Sequence, residues 1–420
     1  METLRFRVGL GLTVALVILP CSSFAQQEPA PLVLPTPSTA PVIPPPAEPM
    51  PEPAPAPLSQ PMMAPFTPEP AVVAPPAVVA VEEVEEAPAP SPTFTGHIEA
   101  AYHINFSDTD VGRGVPLHTY YDPPGHGFVL HAAHLAAAHT FSDNISGVIE
   151  IDAGHDASLN ASYPFAGSFF DVQEAYMTYA SGIFSMTVGK FVTYEGIEVV
   201  EGPLNPTISR GFLFGLAEPV THTGVKFHFT TETVDFGVGV VNGWDTLVDN
   251  NNMKTFIFKL GLKPSDAFMV AFSGTFGSEA ENVTDEHRLS LDMTGAWTAS
   301  DSFALWFQAN YGMDGIGADE QVKWFGFGLQ PTYTSDAFTF GARAELFSDP
   351  DDVRVLSGVA DTTYFNVTLT PGFILAQGFK VRAELRADIA TEDVLGNLDP
   401  VDGDPGKVQF TAALGAEYVF

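Results

Sequence analysis

The chain has 420 residues, only 16% of them charged, and carries 34 Phe, 37 Gly and 36 Pro, a mix unlike that of a helical bundle. Its 51 acidic against 17 basic residues leave a formal charge of −34, which excludes a nucleic-acid partner, because the phosphate backbone demands a basic surface. Cations or cationic solutes are the natural company of such a chain.

Residues 1–25 have the form of an export signal: Arg5 and Arg7, an apolar stretch from Val8 to Leu19, and the small-x-small site Ser23-Phe24-Ala25, with cleavage expected after Ala25. The apolar stretch ends at Pro20 and is short for a membrane span, which needs about 20 residues. A lipoprotein site at Cys21 is disfavoured because Pro20 stands where a small residue is required. Cleavage after Ala25 removes Cys21, the single cysteine, so disulfides, thiolate catalysis and cysteine–zinc sites are excluded from the mature chain.

Residues 26–92 hold 22 of the 36 prolines, eight glutamates and no Lys or Arg. Proline removes backbone donors and fixes φ, so this segment cannot build a ladder and is expected to be a disordered, extended periplasmic spacer. It is either a passive tether or a contact to the cell wall, with peptidoglycan as the partner.

From Thr93 to Phe420 the pattern changes to alternating strands. Short polar groups suited to tight turns recur at Ser142-Asp143-Asn144, Ser181-Gly182, Thr231-Glu232, Pro264-Ser265-Asp266, Ala299-Ser300-Asp301, Ser335-Asp336 and Ala376-Gln377-Gly378. Seven hairpins, with flanking strands near Phe94–Phe106 and Lys407–Phe420, make sixteen strands. Between hairpins lie long acidic connections: Ser107–Gly125, Val192–Ala217, Trp244–Asn251, Ser348–Ala360 and Thr391–Gly406. Short turns at one end and long loops at the other are the asymmetry of an all-β transmembrane antiparallel barrel, and a soluble sandwich has no reason to sort its loops this way.

The strand faces agree. In Phe379–Ile389 the odd positions are all apolar, whereas Lys380, Arg382, Glu384, Arg386 and Asp388 occupy the even ones. In a closed barrel the apolar face meets outer-membrane lipid, so these charges point into the lumen. The same rule sends Arg343, Glu345, Lys259, Glu150 and Asp152 inward. A barrel of this strand number leaves room for water. In Lys407–Phe420, Val408, Phe410, Leu414, Tyr418 and Phe420 should touch lipid and Glu417 the lumen, with the strand pairing to both Phe379–Ile389 and Phe94–Phe106.

The connection Val192–Ala217 carries Glu195, Glu198, Glu201 and Arg210 among Gly and Pro residues. It either folds inward as a constriction that sets selectivity or remains an ordinary outward loop. His131, His134 and His139 gather three metal ligands neither as a helix nor as a regular strand, and are expected to be polar lumen or loop-edge residues. Asp399–Asp404 lacks the spacing and distal glutamate of a calcium loop. Neither a phosphate-cradling glycine loop nor a Gly-x-Ser-x-Gly elbow is present, so no enzyme, metal or cofactor is expected.

Gln173-Glu174-Ala175-Tyr176, Gly189-Lys190-Phe191-Val192-Thr193, Glu195-Gly196-Ile197-Glu198, Asn205-Pro206, Ser209-Arg210, Phe212–Phe214 and the run PVTHTGVK from Pro219 to Lys226 resemble the OmpL-like β-barrel porin family of bacterial outer membranes. The resemblance, densest over residues 170–230, implies a diffusion channel in the outer membrane of a Gram-negative bacterium. It also implies that the terminal aromatics Tyr418 and Phe420 form the signal read by the barrel assembly machinery. The expected function is passive diffusion of small hydrophilic solutes or ions, with cations preferred, since setting aside signal and spacer still leaves −27 on residues 93–420. A structural or adhesive barrel, tethered to the wall by its proline segment, is the alternative. A homotrimer follows only by analogy with general porins of this strand number.

Overall fold

The structure is a computed structural model that describes residues 92–106, 126–317, 320–395 and 405–420. The expected export signal, the proline-rich segment up to Ser91, the connection Ser107–Gly125 and the Asp399–Asp404 stretch lie outside the described residues.

Sixteen strands form one closed antiparallel barrel. They are β1 (Thr93–Asn105), β2 (Gly127–Ser142), β3 (Ile145–Ala153), β4 (Phe170–Ser181), β5 (Phe184–Val192), β6 (Thr221–Thr230), β7 (Val234–Val241) and β8 (Thr255–Ser265). The circuit continues through β9 (Phe268–Gly277), β10 (His287–Ser300), β11 (Phe303–Ile316), β12 (Val322–Thr334), β13 (Phe338–Asp349), β14 (Thr362–Ala376), β15 (Phe379–Ala390) and β16 (Val408–Val419). All seven expected turns join consecutive strands at one end, and the longer described connections leave the strands at the other. One six-residue helix, α1 (His155–Asn160), lies in the connection from β3 to β4. Among the described residues no helix is long and apolar enough to cross a membrane.

Closure is made between the ends of the chain's strand run. Gly96 and Phe420 exchange two backbone hydrogen bonds of 3.0 Å, and β1 then pairs with β16 from His97↔Val419 to Asn105↔Thr411. A closed ladder leaves no strand edge to be satisfied by solvent, a necessity in lipid. Phe410, Leu414 and Tyr418 are exposed while Gln409, Thr411 and Glu417 are buried, as the alternation requires. Exposed aromatics form two belts around the wall. Phe94, Phe141, Tyr179, Trp297, Tyr333, Phe373 and Tyr418 circle the turn end; Phe106, Phe128, Phe170, Phe256, Phe325 and Phe365 circle the other. Such girdles mark the two membrane–water interfaces of a transmembrane barrel.

Bulges on β2 and β4 break the alternation within the wall. Glu99 pairs with Ala132 but Ala100 pairs with Leu130, so His131 is the extra residue on β2; likewise Gln173 is extra on β4. Strict alternation puts His131 and His134 on opposite faces. The bulge shifts the phase by one residue, and both are buried inside the barrel.

Candidate functional site

The connection from β5 to β6 lies inside the barrel against the walls formed by β10–β15 and β1. Of the two placements open to it, the structure adopts the inward one: Ile208, Phe212, Leu213, Phe214 and Ala217 are all buried. Phe212, Leu213 and Ala217 pack with Trp324, Phe347 and Tyr364 of the wall, so the largest apolar core lies between loop and strands. The fit is close at Gly341 on β13, where a Cβ would stand 2.1 Å from the Pro206 carbonyl oxygen.

A loop inside a barrel has backbone groups with no ladder to join, and leaving them unpaired costs about 1–3 kcal/mol each. The charged strand faces supply the partners. Glu384 accepts hydrogen bonds from Ile208 N (2.6 Å) and Ser209 N (3.0 Å), and Glu345 from Phe212 N (2.9 Å). Arg382 donates to the carbonyls of Asn205 (3.0 Å) and Thr207 (3.2 Å), and Arg386 to that of Arg210 (2.6 Å). Arg343 donates through Nη1 to Glu198 Oε1 (2.8 Å) and Ser209 O (2.8 Å), through Nη2 to Thr368 Oγ1 (3.1 Å), and through Nε to Asn366 Oδ1 (3.0 Å).

This corrects the expectation that these side chains line open water. Arg343, Glu345, Arg382, Glu384 and Arg386 do point inward, but they lie beneath the loop and are buried. Asp388 is buried beside them, its Oδ2 2.9 Å from Arg386 Nε. On the opposite wall, Asp152 accepts from His134 (2.9 Å), and Lys259 pairs with Asp235 (3.0 Å). Glu150, on the same face of β3 as Asp152, is partly buried.

The loop residues divide in the same way. Arg210 is fully buried and donates to the carbonyls of Val199 (2.9 Å), Ile208 (3.0 Å) and Val200 (2.8 Å), so it staples the loop to itself. Glu198 also accepts from Gly211 N (2.6 Å) and Gln330 Nε2 (2.8 Å). Glu195 is hydrogen-bonded to Ser290 Oγ (2.5 Å) and lies close to Asp292, which accepts from Gly196 N (3.1 Å). Burial, with the negative charge of Asp292 second, pushes the Glu195 carboxyl up to about 8. Among these four residues, Glu201 is the one that borders open space. It lines a cavity of about 410 Å³ on the turn side of the loop, together with His97, His134, Lys380, Arg382 and Glu417.

Arg382 also bonds the closing seam. Its Nη2 stands 2.7 Å from Glu99 Oε1 on β1 and 2.5 Å from Glu417 Oε2 on β16, while Lys380 Nζ reaches Glu417 Oε1 at 2.6 Å. Glu99 was not among the sequence-selected residues. Its place in the alternation of β1, between the outward Ile98 and Ala100, was the available signal.

A closed sixteen-stranded barrel with an apolar, aromatic-belted exterior and a charged interior holding an inserted loop has the architecture of outer-membrane porins. The chain belongs to the family described as "Putative beta-barrel porin-2, OmpL-like", whose model matches residues 91–420. It is a porin-type barrel of the Gram-negative outer membrane. Similar solved structures include in-vitro folded OmpT of Vibrio cholerae, with 14% identity, a TM-score of 0.52, and coverage of 81% of this chain and 100% of that one. The anion-selective porin of Comamonas acidovorans has 9% identity and a TM-score of 0.54, covering 79% and 99% of the two chains. For the outer membrane channel DcaP of Acinetobacter baumannii the values are 13%, 0.53, 78% and 97%. At these identities the likeness establishes the fold. No curated protein matches the sequence.

Proposed function

We propose that this chain is a non-enzymatic diffusion channel for small hydrophilic solutes and ions, preferring cations, whose narrow zone is formed by the inserted loop with Glu201 facing the permeating solute. The observation that carries this reading is the docked loop. Carboxylates and guanidinium groups from β13 and β15 pair with its backbone, so it forms a fixed obstruction rather than a mobile flap. Since the fold is shared with an anion-selective porin, fold cannot set the sign of selectivity, and side chains must. Glu417, facing the cavity, is paired with Lys380 and Arg382, whereas Glu201 borders the same space and forms no ion pair among the described residues. That distribution favours cations.

The remaining assignments follow the same reading. Residues 1–25 are removed on export, residues 26–92 lie in the periplasm as a spacer, and Tyr418 and Phe420 present the assembly signal. A homotrimer is supported by the trimeric form known for OmpT of Vibrio cholerae. The test is conductance in planar bilayers under a salt gradient: ohmic, cation-selective channels are expected. Well-folded barrels without channel activity would sink the proposal in favour of an adhesive barrel. Deleting residues 26–92 should then release the barrel from the cell wall.

A further inference from the structure

One wall of the lumen carries histidines that the inserted loop does not use. His103 on β1, His131 on β2 and His155 at the start of α1 lie toward the long-connection end with Asp156, while His134 and its partner Asp152 lie nearer the turn-side cavity. His131 is 1% exposed and Asp156 5%, while His155 keeps about a quarter of its side-chain surface open. His131 Nδ1 is 2.8 Å from Asp156 Oδ1, and His155 Nδ1 is 3.4 Å from the same oxygen. One ligand atom from each of His131, His155 and Asp156 lies within 4.8 Å of the other two, the one such grouping among the described residues.

We propose that His131, His155 and Asp156 form a binding site for a divalent transition-metal cation at the long-connection end of the lumen. Ligands about 2.0–2.2 Å from a metal in tetrahedral arrangement stand roughly 3.4 Å apart, so the His155–Asp156 separation already fits and the His131–Asp156 pair must open slightly. Two imidazoles with one carboxylate suit zinc, copper, nickel or iron(II), whereas magnesium and calcium demand oxygen donors. Three protein ligands leave further coordination positions open, and the partly open His155 supplies the route of entry. An outer partner is in place as well. With metal on His131 Nδ1 the proton of that ring resides on Nε2, which lies 2.7 Å from His103 Nε2 and can donate to it, fixing the ring orientation.

Three features of local structure create the grouping. The bulge at His131 turns that ring inward, Gly154 has a φ of 140°, and a Cβ there would stand 2.4 Å from the His131 carbonyl oxygen. The chain therefore turns tightly over β2 and delivers His155 and Asp156 to His131. The competing account is a structural histidine held between His103 and Asp156, with His155 merely nearby.

Titration calorimetry with zinc chloride on the refolded full-length protein in detergent separates the two, and cobalt(II) absorption reports the ligand field. Saturable uptake of one zinc per chain is expected, with magnesium unable to compete. H155Q and D156N should each weaken it by at least about tenfold, a loss that even outer-shell partners produce. H139Q, near the turn end of β2, should leave it unchanged. Because His155 is partly exposed, H155Q should fold normally, which heat-modifiable gel migration checks. No saturable zinc uptake, or uptake that H155Q leaves intact in folded protein, overturns the proposal. Binding is read without reference to conductance, so its failure and failure of the channel reading are separate results.

Discussion

Arg343 on β13 and Glu198 in the inserted loop meet at 2.8 Å with neither side chain appreciably open to solvent. Each ion loses several kcal/mol of hydration on burial, and the pair attraction alone does not assure recovery of that loss. The surrounding acceptors tip the balance: Asn366, Thr207, Ser209 and Thr368 all take hydrogen bonds from the guanidinium. Removing Arg343 strands Glu198 and Glu345 as buried carboxylates, at a cost of about 3–5 kcal/mol. R343M should undock the loop, raising single-channel conductance and making residues 193–220 protease-sensitive. Adding E198Q should recover part of the lost stability. Unchanged conductance in folded R343M would show that the loop does not obstruct the path.

Glu201 carries a different expectation because it borders the cavity instead of the wall. A unit charge acts on an ion 4 Å away with about 1 kcal/mol in water, enough for a several-fold change in local cation concentration. E201Q should therefore move the zero-current potential under a salt gradient toward that of a non-selective pore, with little change in thermal stability. The difference should fade near 1 M salt, where the Debye length is about 3 Å. An unaltered potential at low salt would assign selectivity elsewhere.

Why the barrel was so legible, and its interior less so, follows from the range of the forces involved. Turn chemistry at Ser181-Gly182 or Ala376-Gln377-Gly378 and the alternation of Phe379–Ile389 are local, so turns, strand number and inward faces could be read directly. What covers an inward face is not local. Glu384 lies 176 positions from Ile208 along the chain, and nothing near either residue announces that one accepts a hydrogen bond from the other. Charge at inward positions therefore suggested a wet wall where the structure has a docked loop. The His131 bulge was missed for a related reason: Ala132, Ala133 and the alanines from 136 to 138 are small enough to face either side, so the phase shift leaves no trace in hydropathy.

Glu195 makes the loop pH-sensitive. It lies in the loop, outside the strands, and burial raises its carboxyl to about 8, with Asp292 adding to the effect. A raised acid in the docked state means that docking binds a proton more tightly than undocking does. Its contribution is complete below the usual carboxylate value of about 4.3 and is lost as pH rises through 8. Channel current should be quiet at pH 5 and show more loop-driven fluctuation above pH 8. E195Q, which keeps the shape but cannot ionise, should show a shallower dependence across that window, the remainder coming from Glu218, whose carboxyl burial also raises. Equal pH dependence in both proteins would place the titrating group elsewhere.

Gly96 tests the seam. A Cβ there would stand 2.5 Å from the His134 carbonyl oxygen and 2.7 Å from Phe420 Cζ, both closer than real contacts allow. The two backbone hydrogen bonds between Gly96 and Phe420 depend on that close approach. G96V should force the terminal residue off β1 and lower the yield of the compact, heat-modifiable form on unboiled gels. G127A is the control, since among the described residues a Cβ at Gly127 meets nothing within 4 Å. F420A removes the ring without adding bulk, so it should leave refolding in detergent normal and slow assembly in cells if the terminal aromatic is read by the assembly machinery. A normal G96V barrel would mean that closure does not depend on the Gly96–Phe420 contact, while normal cellular assembly of F420A would remove the signal role from that residue.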